Sequence, residues 1–373
     1  MKLNMVATCL FGLEHMLGEE IDKLGLVRTS TSDGRVSFTG DESALVAANL
    51  WLRYAERVYI ELGQFNASTF DELFEGTKAL PWEQFISKND AFPVKGHSVR
   101  SALTSIPSCQ KIIKKAISKR LGEVYGLSWL PEDSGVLCQV VFFLMKDRVS
   151  LMIDTSGDPL YKRGYRCETG DAPLRETLAC AIVSLSRPRD EVLLWDPCCG
   201  SGTIAIEAAL KQNNIAPGIA RRFAFEAFPW LPSSLLSLAR EEAKDAVRKS
   251  EFEAFASDID PRMVEIAKEN ARRAGVASAV NVFCQDATKI TKPDRRGTIV
   301  TNPPYGERLG SLKEAEDLYR AMGKTFSAMS PYQIYVLTSH EGFERFYGKK
   351  ADKVRKIYNG MLPCYFYQYF TNK

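Results

Sequence analysis

Four consecutive residues, Asn302-Pro303-Pro304-Tyr305, follow a short apolar run and carry the groups needed to methylate an amino nitrogen. An exocyclic base amine is a poor nucleophile because its lone pair is delocalised into the ring. If the Asn302 side-chain oxygen and the Pro303 carbonyl each accept one N–H, the lone pair turns toward an incoming methyl group. The same oxygens stabilise the positive charge that grows on nitrogen. Pro303 and Pro304 fix φ and so hold the acceptors, while Tyr305 offers a ring on which a base can stack. Taken alone, the tetrapeptide also fits an ordinary proline turn.

A second constellation lies upstream. Asp196-Pro197-Cys198-Cys199-Gly200-Ser201-Gly202-Thr203 follows the apolar run Val192–Trp195 and precedes the helical pattern Thr203–Leu210. That order reads as strand, glycine turn, helix, the nucleotide crevice of a doubly wound sheet. Gly200 and Gly202 would let backbone approach a ligand, although the dinucleotide fingerprint is absent because Ala205 stands at its third position. An acidic residue opening the loop suits a ligand with an amino group. Two further strands, Ala254–Ser257 and Val280–Cys284, end at acids. Asp258 could bind both ribose hydroxyls, Ile259 could cover an adenine face, and Asp286 could accept from the adenine amine.

In this order the features resemble the class I S-adenosylmethionine-dependent methyltransferases. The resemblance implies a Rossmann-like α/β domain with a mostly parallel seven-stranded sheet. It also implies S-adenosylmethionine as cofactor, held by Asp196, Cys198, Gly200, Gly202, Thr203, Asp258, Ile259, Asp286 and Asn302, with Asn302, Pro303, Pro304 and Tyr305 catalytic.

Composition and charge place the rest. At 373 residues, 45% hydrophobic and 25% charged, the chain has room for two or three units. No apolar run approaches the ~20 residues of a membrane span, and the start reads as structure rather than a signal peptide. Nine cysteines without zinc spacing and only three histidines argue against a metal site and for a reducing, cytoplasmic setting. The net charge of +3 is small, but Ala91–Gly122 holds seven basic residues and no acid. Lys111, Lys115 and Lys119 recur every four residues with Lys114 beside them, and Ile113, Ala116, Ile117 and Leu121 form the other face. This is an amphipathic helix whose basic side is either simply solvated or faces phosphate; the lack of interleaved glutamate favours phosphate.

The segment around it, with Lys95, Arg100, Ser98–Leu103 and Ser105, is similar to a THUMP domain, a module of RNA-modifying enzymes. Followed by Leu160–Arg166 and Ala172–Ala179 and then the methyltransferase motifs, the whole chain resembles the bacterial THUMP-type 23S rRNA guanine-N2 methyltransferases. That resemblance implies RNA, 23S rRNA, as partner. It places Pro173, Leu174 and Glu176 beside the methionine end of the cofactor, and Lys95, Arg100, Lys111, Lys114, Lys115, Lys119, Lys162, Arg163 and Arg166 near RNA. Pro173 and Glu176 also suit a plain helix start, and Lys162–Arg166 a plain linker.

The expected organisation is a ferredoxin-like unit over 1–62, a THUMP unit over 63–155, a connector over 156–172 and a catalytic domain over 173–373. The catalytic domain should close with an antiparallel hairpin around Asn359-Gly360, its loop longer than two residues if Met361-Leu362-Pro363 join it. An insertion over 211–250 carries Arg221, Arg222, Phe223, Phe225, Phe228 and Trp230; its aromatics read as a satellite core, and its arginines as the better candidates for RNA. Three rival functions share these features: a DNA adenine-N6 methyltransferase, a tRNA guanine-N2 methyltransferase, and a non-catalytic RNA-binding factor. The sequence is silent on oligomeric state.

Overall fold

A computed structural model of the protein describes residues 1–166, 174–306 and 311–370. The chain opens with β1 (Leu3–Cys9), α1 (Glu14–Lys23), β2 (Val27–Ser32), β3 (Arg35–Gly40), α2 (Glu42–Trp51) and β4 (Ala55–Asn66). It continues through α3 (Phe70–Lys78), β5 (Val94–Val99), α4 (Ile106–Tyr125), β6 (Val140–Met145) and β7 (Arg148–Asp154). All seven strands form one sheet in the order β2-β3-β1-β4-β7-β6-β5. Its first four strands have the ferredoxin-like arrangement. The 12-residue strand β4 makes the sheet continuous, because its first half pairs with β1 and its second with β7. It thereby crosses the boundary expected at residue 62.

α4 forms where the pattern says it should. Ser105 caps its start, Pro107 occupies the first turn, and Gly126 ends it at φ +66° in the left-handed region. Cys109, Ile113, Ala116, Ile117 and Leu121 are buried, leaving the lysine face outward.

The second sheet begins after α5 (Glu176–Ser186). Its elements are β8 (Leu193–Asp196), α6 (Thr203–Gln212), α7 (Ser233–Asp245), β9 (Ala254–Asp258), α8 (Pro261–Arg273), β10 (Val280–Cys284), β11 (Gly297–Thr301), α9 (Leu312–Ser327), β12 (Gln333–Thr338), α10 (Phe343–Tyr347), β13 (Lys353–Asn359) and β14 (Leu362–Tyr369). The order is β10-β9-β8-β11-β12-β14-β13, parallel except for β14, which runs antiparallel to both neighbours. Chain order reverses between β8 and β11, so their carboxyl ends open the crevice in which such sheets bind ligands. The final hairpin closes through a two-residue loop. Asn359 pairs with Leu362, leaving only Gly360-Met361 in the loop, and Gly360 takes the positive φ (+67°) that a two-residue turn needs.

The 211–250 insertion packs between the sheets. Phe223, Phe225 and Phe228 are buried, and Trp230 meets Phe85 edge-on at 5.4 Å, so these aromatics are core as expected, but they join the main hydrophobic cluster rather than a satellite. Gly218 N–H donates to the Leu50 carbonyl (2.9 Å) and Phe225 N–H to that of Thr155 (3.1 Å). Among the described residues no helix is long and apolar enough to cross a membrane, and no group of three or more His, Cys, Asp or Glu is placed to hold a metal.

Candidate active site

Asp196 ends β8 at the switch point and is 1% exposed. Its Oδ1 accepts from Cys198 N–H (3.2 Å) and from the Thr301 hydroxyl (2.8 Å) at the end of β11, tying the two strand ends together. Burial pushes its carboxyl up to about 7, against the Thr301 and Cys198 donors, with the Asp258 charge adding to the rise. Beyond it, Gly200 (φ +50°) and Gly202 (φ +82°) occupy the left-handed region. Gly202 serves packing: a Cβ there would stand 3.1 Å from that of Ala267 in α8. Gly200 N–H donates to Asp258 Oδ2 (2.8 Å), and Asp260 N–H to Asp258 Oδ1 (3.0 Å), so the loop and the next strand end fix the carboxylate.

Asp196, Gly200, Asp258 and Asp260 line one cavity of about 740 Å³, together with Leu174, Glu176, Cys198, Thr203 and all of Asn302–Tyr305. Glu176, 3% exposed at the start of α5, is pushed up to about 7 by burial, with the Arg166 guanidinium 3.2 Å away opposing. Two acids stripped of water at one cavity favour a cationic ligand, which would restore their ionised forms. S-adenosylmethionine, with an ammonium and a sulfonium, is such a ligand.

Not every expected contact reaches the cavity. Gly202, Ile259 and Asp286 do not line it. Ile259 is 68% exposed, and Asp286 gives its Oδ1 to the Thr288 N–H (2.9 Å) and hydroxyl (2.6 Å), bonds that hold it below the usual carboxylate range. Pro173 lies outside the described residues. A shallower hollow of about 410 Å³ beside β10 and α8, lined by Glu253, Lys268 and Asn281, is remote from these strand ends.

The Asn302–Tyr305 loop is anchored from below. Buried Tyr319 of α9 donates its hydroxyl to the Pro304 carbonyl (2.8 Å), and the Tyr305 hydroxyl donates to Asn302 Oδ1. Among the described residues no donor pairs with the Pro303 carbonyl, and Asn302 Oδ1 keeps a second lone pair. Two acceptors therefore face the work of aligning an amine. The sequence reading missed Tyr319, and it missed Arg262 and Met263 at the start of α8 and Asn359–Leu362 of the last hairpin, which complete the wall. A Pro261-Arg262 helix start after Asp258-Ile259-Asp260 was a legible signal for Arg262; the hairpin, far along the chain, gave none.

Comparison with known proteins decides the family. Residues 163–368 match the RMKL-like methyltransferase domain, 4–59 the RlmL ferredoxin-like domain and 67–154 the THUMP domain. The chain belongs to the RMKL-like methyltransferases. YpsC of Bacillus subtilis (strain 168), whose name assigns it to RNA methylation, is 44% identical over 99% of this chain and 96% of its own. The ribosomal RNA large subunit methyltransferase K/L of Psychromonas ingrahamii is 33% identical over 95% of this chain, which spans about half (48%) of that relative's length. Among solved structures, the methyltransferase SMU.472 in complex with SAH is 40% identical with TM-score 0.93, covering 100% of this chain and 99% of that one. A Listeria monocytogenes protein described as an N6-adenine-specific DNA methylase is 45% identical with TM-score 0.93, covering 100% and 97%. S-adenosylmethionine is the cofactor of this RMKL-like enzyme.

The basic residues divide. Arg163 is 3% exposed; it donates to the carbonyls of Leu160 (2.7 Å) and Arg53 (2.5 Å) and lies 3.7 Å from buried Glu207. It holds the fold and cannot meet RNA. Arg166 turns inward, to the Thr203 hydroxyl (2.8 Å), the Leu174 carbonyl (3.0 Å) and Glu176, on the wall of the cavity. Arg221 is also buried, bonding the carbonyls of Ser156, Asp158, Pro159 and Lys162 and so clamping the connector; Arg222 is exposed. The stretch free of acids in sequence is not free of them in space. Lys114 pairs with Glu132 (2.6 Å), Lys119 with Glu123 (3.5 Å) and Arg120 with Glu83 (2.5 Å). Lys95, Arg100, Lys111 and Lys115 stay exposed without an acid partner among the described residues, whereas exposed Lys162 pairs with Asp158 (3.1 Å).

Proposed function

We propose that the protein methylates the exocyclic N2 amine of a guanosine in large-subunit (23S) ribosomal RNA. The observation that carries the chemistry is one cavity bounded by both the acidic strand ends and the Asn302–Tyr305 loop, whose Pro303 carbonyl and Asn302 Oδ1 can accept. Asp258 and Asp196 would hold the cofactor's ribose and loop side, and Glu176 and Leu174 its methionine end. The sulfonium supplies an activated methyl group when bound. Asn302 and Pro303 then take the two N–H bonds of the guanine amine, and Tyr305 supports the base after it leaves its stack. No general base is required before attack: the methylated nitrogen is cationic and acidic, and it loses its surplus proton to solvent after transfer.

The RNA assignment is supported by the THUMP domain and by the names of the relatives, and the ribosomal target by the K/L names. Acting on ribosomal RNA would place the work in the cytoplasm. The Listeria structure's description favours a second reading, adenine N6 in DNA, because an exocyclic amine of either base fits two acceptors. Incubation with methyl-labelled cofactor and unmodified 23S rRNA, tRNA or DNA in parallel separates them. Label in 23S rRNA as N2-methylguanosine is expected; label confined to DNA adenine would overturn the proposal.

A further inference from the structure

β13 is an edge strand that carries Lys353, Arg355 and Lys356, all exposed and without an acid partner among the described residues. The segment 345–356 holds six basic residues and a single acid, Asp352, whose Oδ2 accepts from Phe370 N–H (2.6 Å). Lysines on an edge strand can serve only to prevent sheet-to-sheet association. This sheet does not use that device generally, since its opposite edge, β10, reads VNVFC and has no charge. The basic strand, moreover, leads to the active site: it ends at Asn359, and the loop Asn359–Leu362 is cavity wall.

Aromatic groups stand beside the same strand. Lys356 Nζ lies 5.7 Å from the Tyr358 ring centre, and Tyr358 meets Phe11 edge-on at 6.0 Å. Phe11, from the turn between β1 and α1, is 50% exposed, and Met361 at the hairpin tip is 92% exposed. Glu14, beside this turn, gives both carboxylate oxygens to backbone, to Gly12 N–H (2.9 Å) and Gly34 N–H (2.8 Å). Alternation sends Lys356 to one side of the sheet and Lys353 and Arg355 to the other, so a chain lying along the open edge reaches all three.

We propose that β13 and the Phe11–Tyr358 pair form a track for single-stranded RNA flanking the target nucleotide. Lys353, Arg355 and Lys356 take successive phosphates, and a neighbouring base stacks on Phe11 or Tyr358, delivering the target base past Met361 into the cavity. The inference rests on an RNA substrate. It adds a binding surface shared by the ferredoxin-like unit, through the turn after its first strand, and the catalytic domain, through its last hairpin.

The test uses the full chain and a labelled, mixed-sequence single-stranded oligoribonucleotide, with affinity followed against salt. K353Q/R355Q/K356Q should flatten the slope of log K against log salt by about 0.7 per contact. Between 50 and 200 mM salt the wild type should then lose roughly 20-fold more affinity than the variant. F11A should weaken binding at every salt without changing the slope. Unchanged S-adenosylmethionine affinity in both variants controls for folding. A wild type that binds with a triple variant of equal slope overturns the track alone. A wild type showing no salt-dependent binding overturns the track and the RNA reading together.

Discussion

In the proposed mechanism Asn302 concentrates the chemistry in one side chain. Its Oδ1 already accepts from Tyr305, so the site is organised before substrate arrives, and its effect should appear only as charge develops on the amine. Asn302→Ala is therefore expected to lower single-turnover rate at saturating cofactor and RNA by about 10²-fold or more; a near-normal rate under those conditions would remove it from the mechanism. Asp258→Ala should weaken S-adenosylmethionine binding by roughly 1.5–3 kcal/mol per charged hydrogen bond lost, as read by calorimetry. RNA affinity should not follow. Asp196 and Glu176 set a pH dependence. Both folded-state carboxyls titrate near 7, above their unfolded values near 4. The folded, ligand-free protein thus holds protons that the unfolded chain has released, and it loses stability as pH rises from about 4 to about 7. A cationic cofactor favours the ionised forms, so binding should release protons and tighten as pH rises through that range. Calorimetry in buffers of different ionisation enthalpy reads this directly, and pH-independent affinity with no proton release would contradict it.

At the scale of elements, α4 shows how sequence and space diverge. The sequence indicated a helix with an unopposed lysine face, and the helix formed, capped by Ser105 and Gly126. The acids that neutralise part of that face lie just beyond the acid-free stretch: Glu123 of the same helix takes Lys119, Glu132 after the helix takes Lys114, and Glu83 before it takes Arg120. Only Lys111 and Lys115 of its four candidate lysines remain without an acid partner. Replacing those two with Gln should lower the salt slope by about 0.7 to 0.9 per contact, while Lys114→Gln should leave the slope alone. The strands show the same limit. β8 and β9 were legible because buried parallel strands read as apolar runs bounded by turns, and the edge strand β10 because Val280 and Val282 alternate with Asn281. β2, VRTSTS, is exposed throughout its length and gave no alternation to read. The glycine loop and Asn302–Tyr305 were legible as local motifs. Tyr319, the hairpin wall and the inward turn of Arg163 and Arg166 were not, because each depends on a contact far away in sequence.

Across the whole molecule, the two sheets are joined beside the cavity. Glu56 of β4 accepts from Arg175 (2.7 Å) and from the Thr177 hydroxyl (2.6 Å), the residues flanking Glu176. Glu56→Ala should therefore weaken cofactor binding by roughly 0.5–1.5 kcal/mol per hydrogen bond lost, although Glu56 lines no part of the cavity; calorimetric affinity equal to wild type would mean that α5 is positioned by its own packing. Methylation of ribosomal RNA by the assembled molecule is tested most directly by nucleoside mass spectrometry of rRNA, tRNA and DNA from a deletion strain and its parent. The expected result is loss of one N2-methylguanosine from 23S rRNA, restored by the wild-type gene and not by Asn302→Ala. Unchanged 23S rRNA, or a missing methyl on tRNA or on DNA adenine instead, would contradict the account.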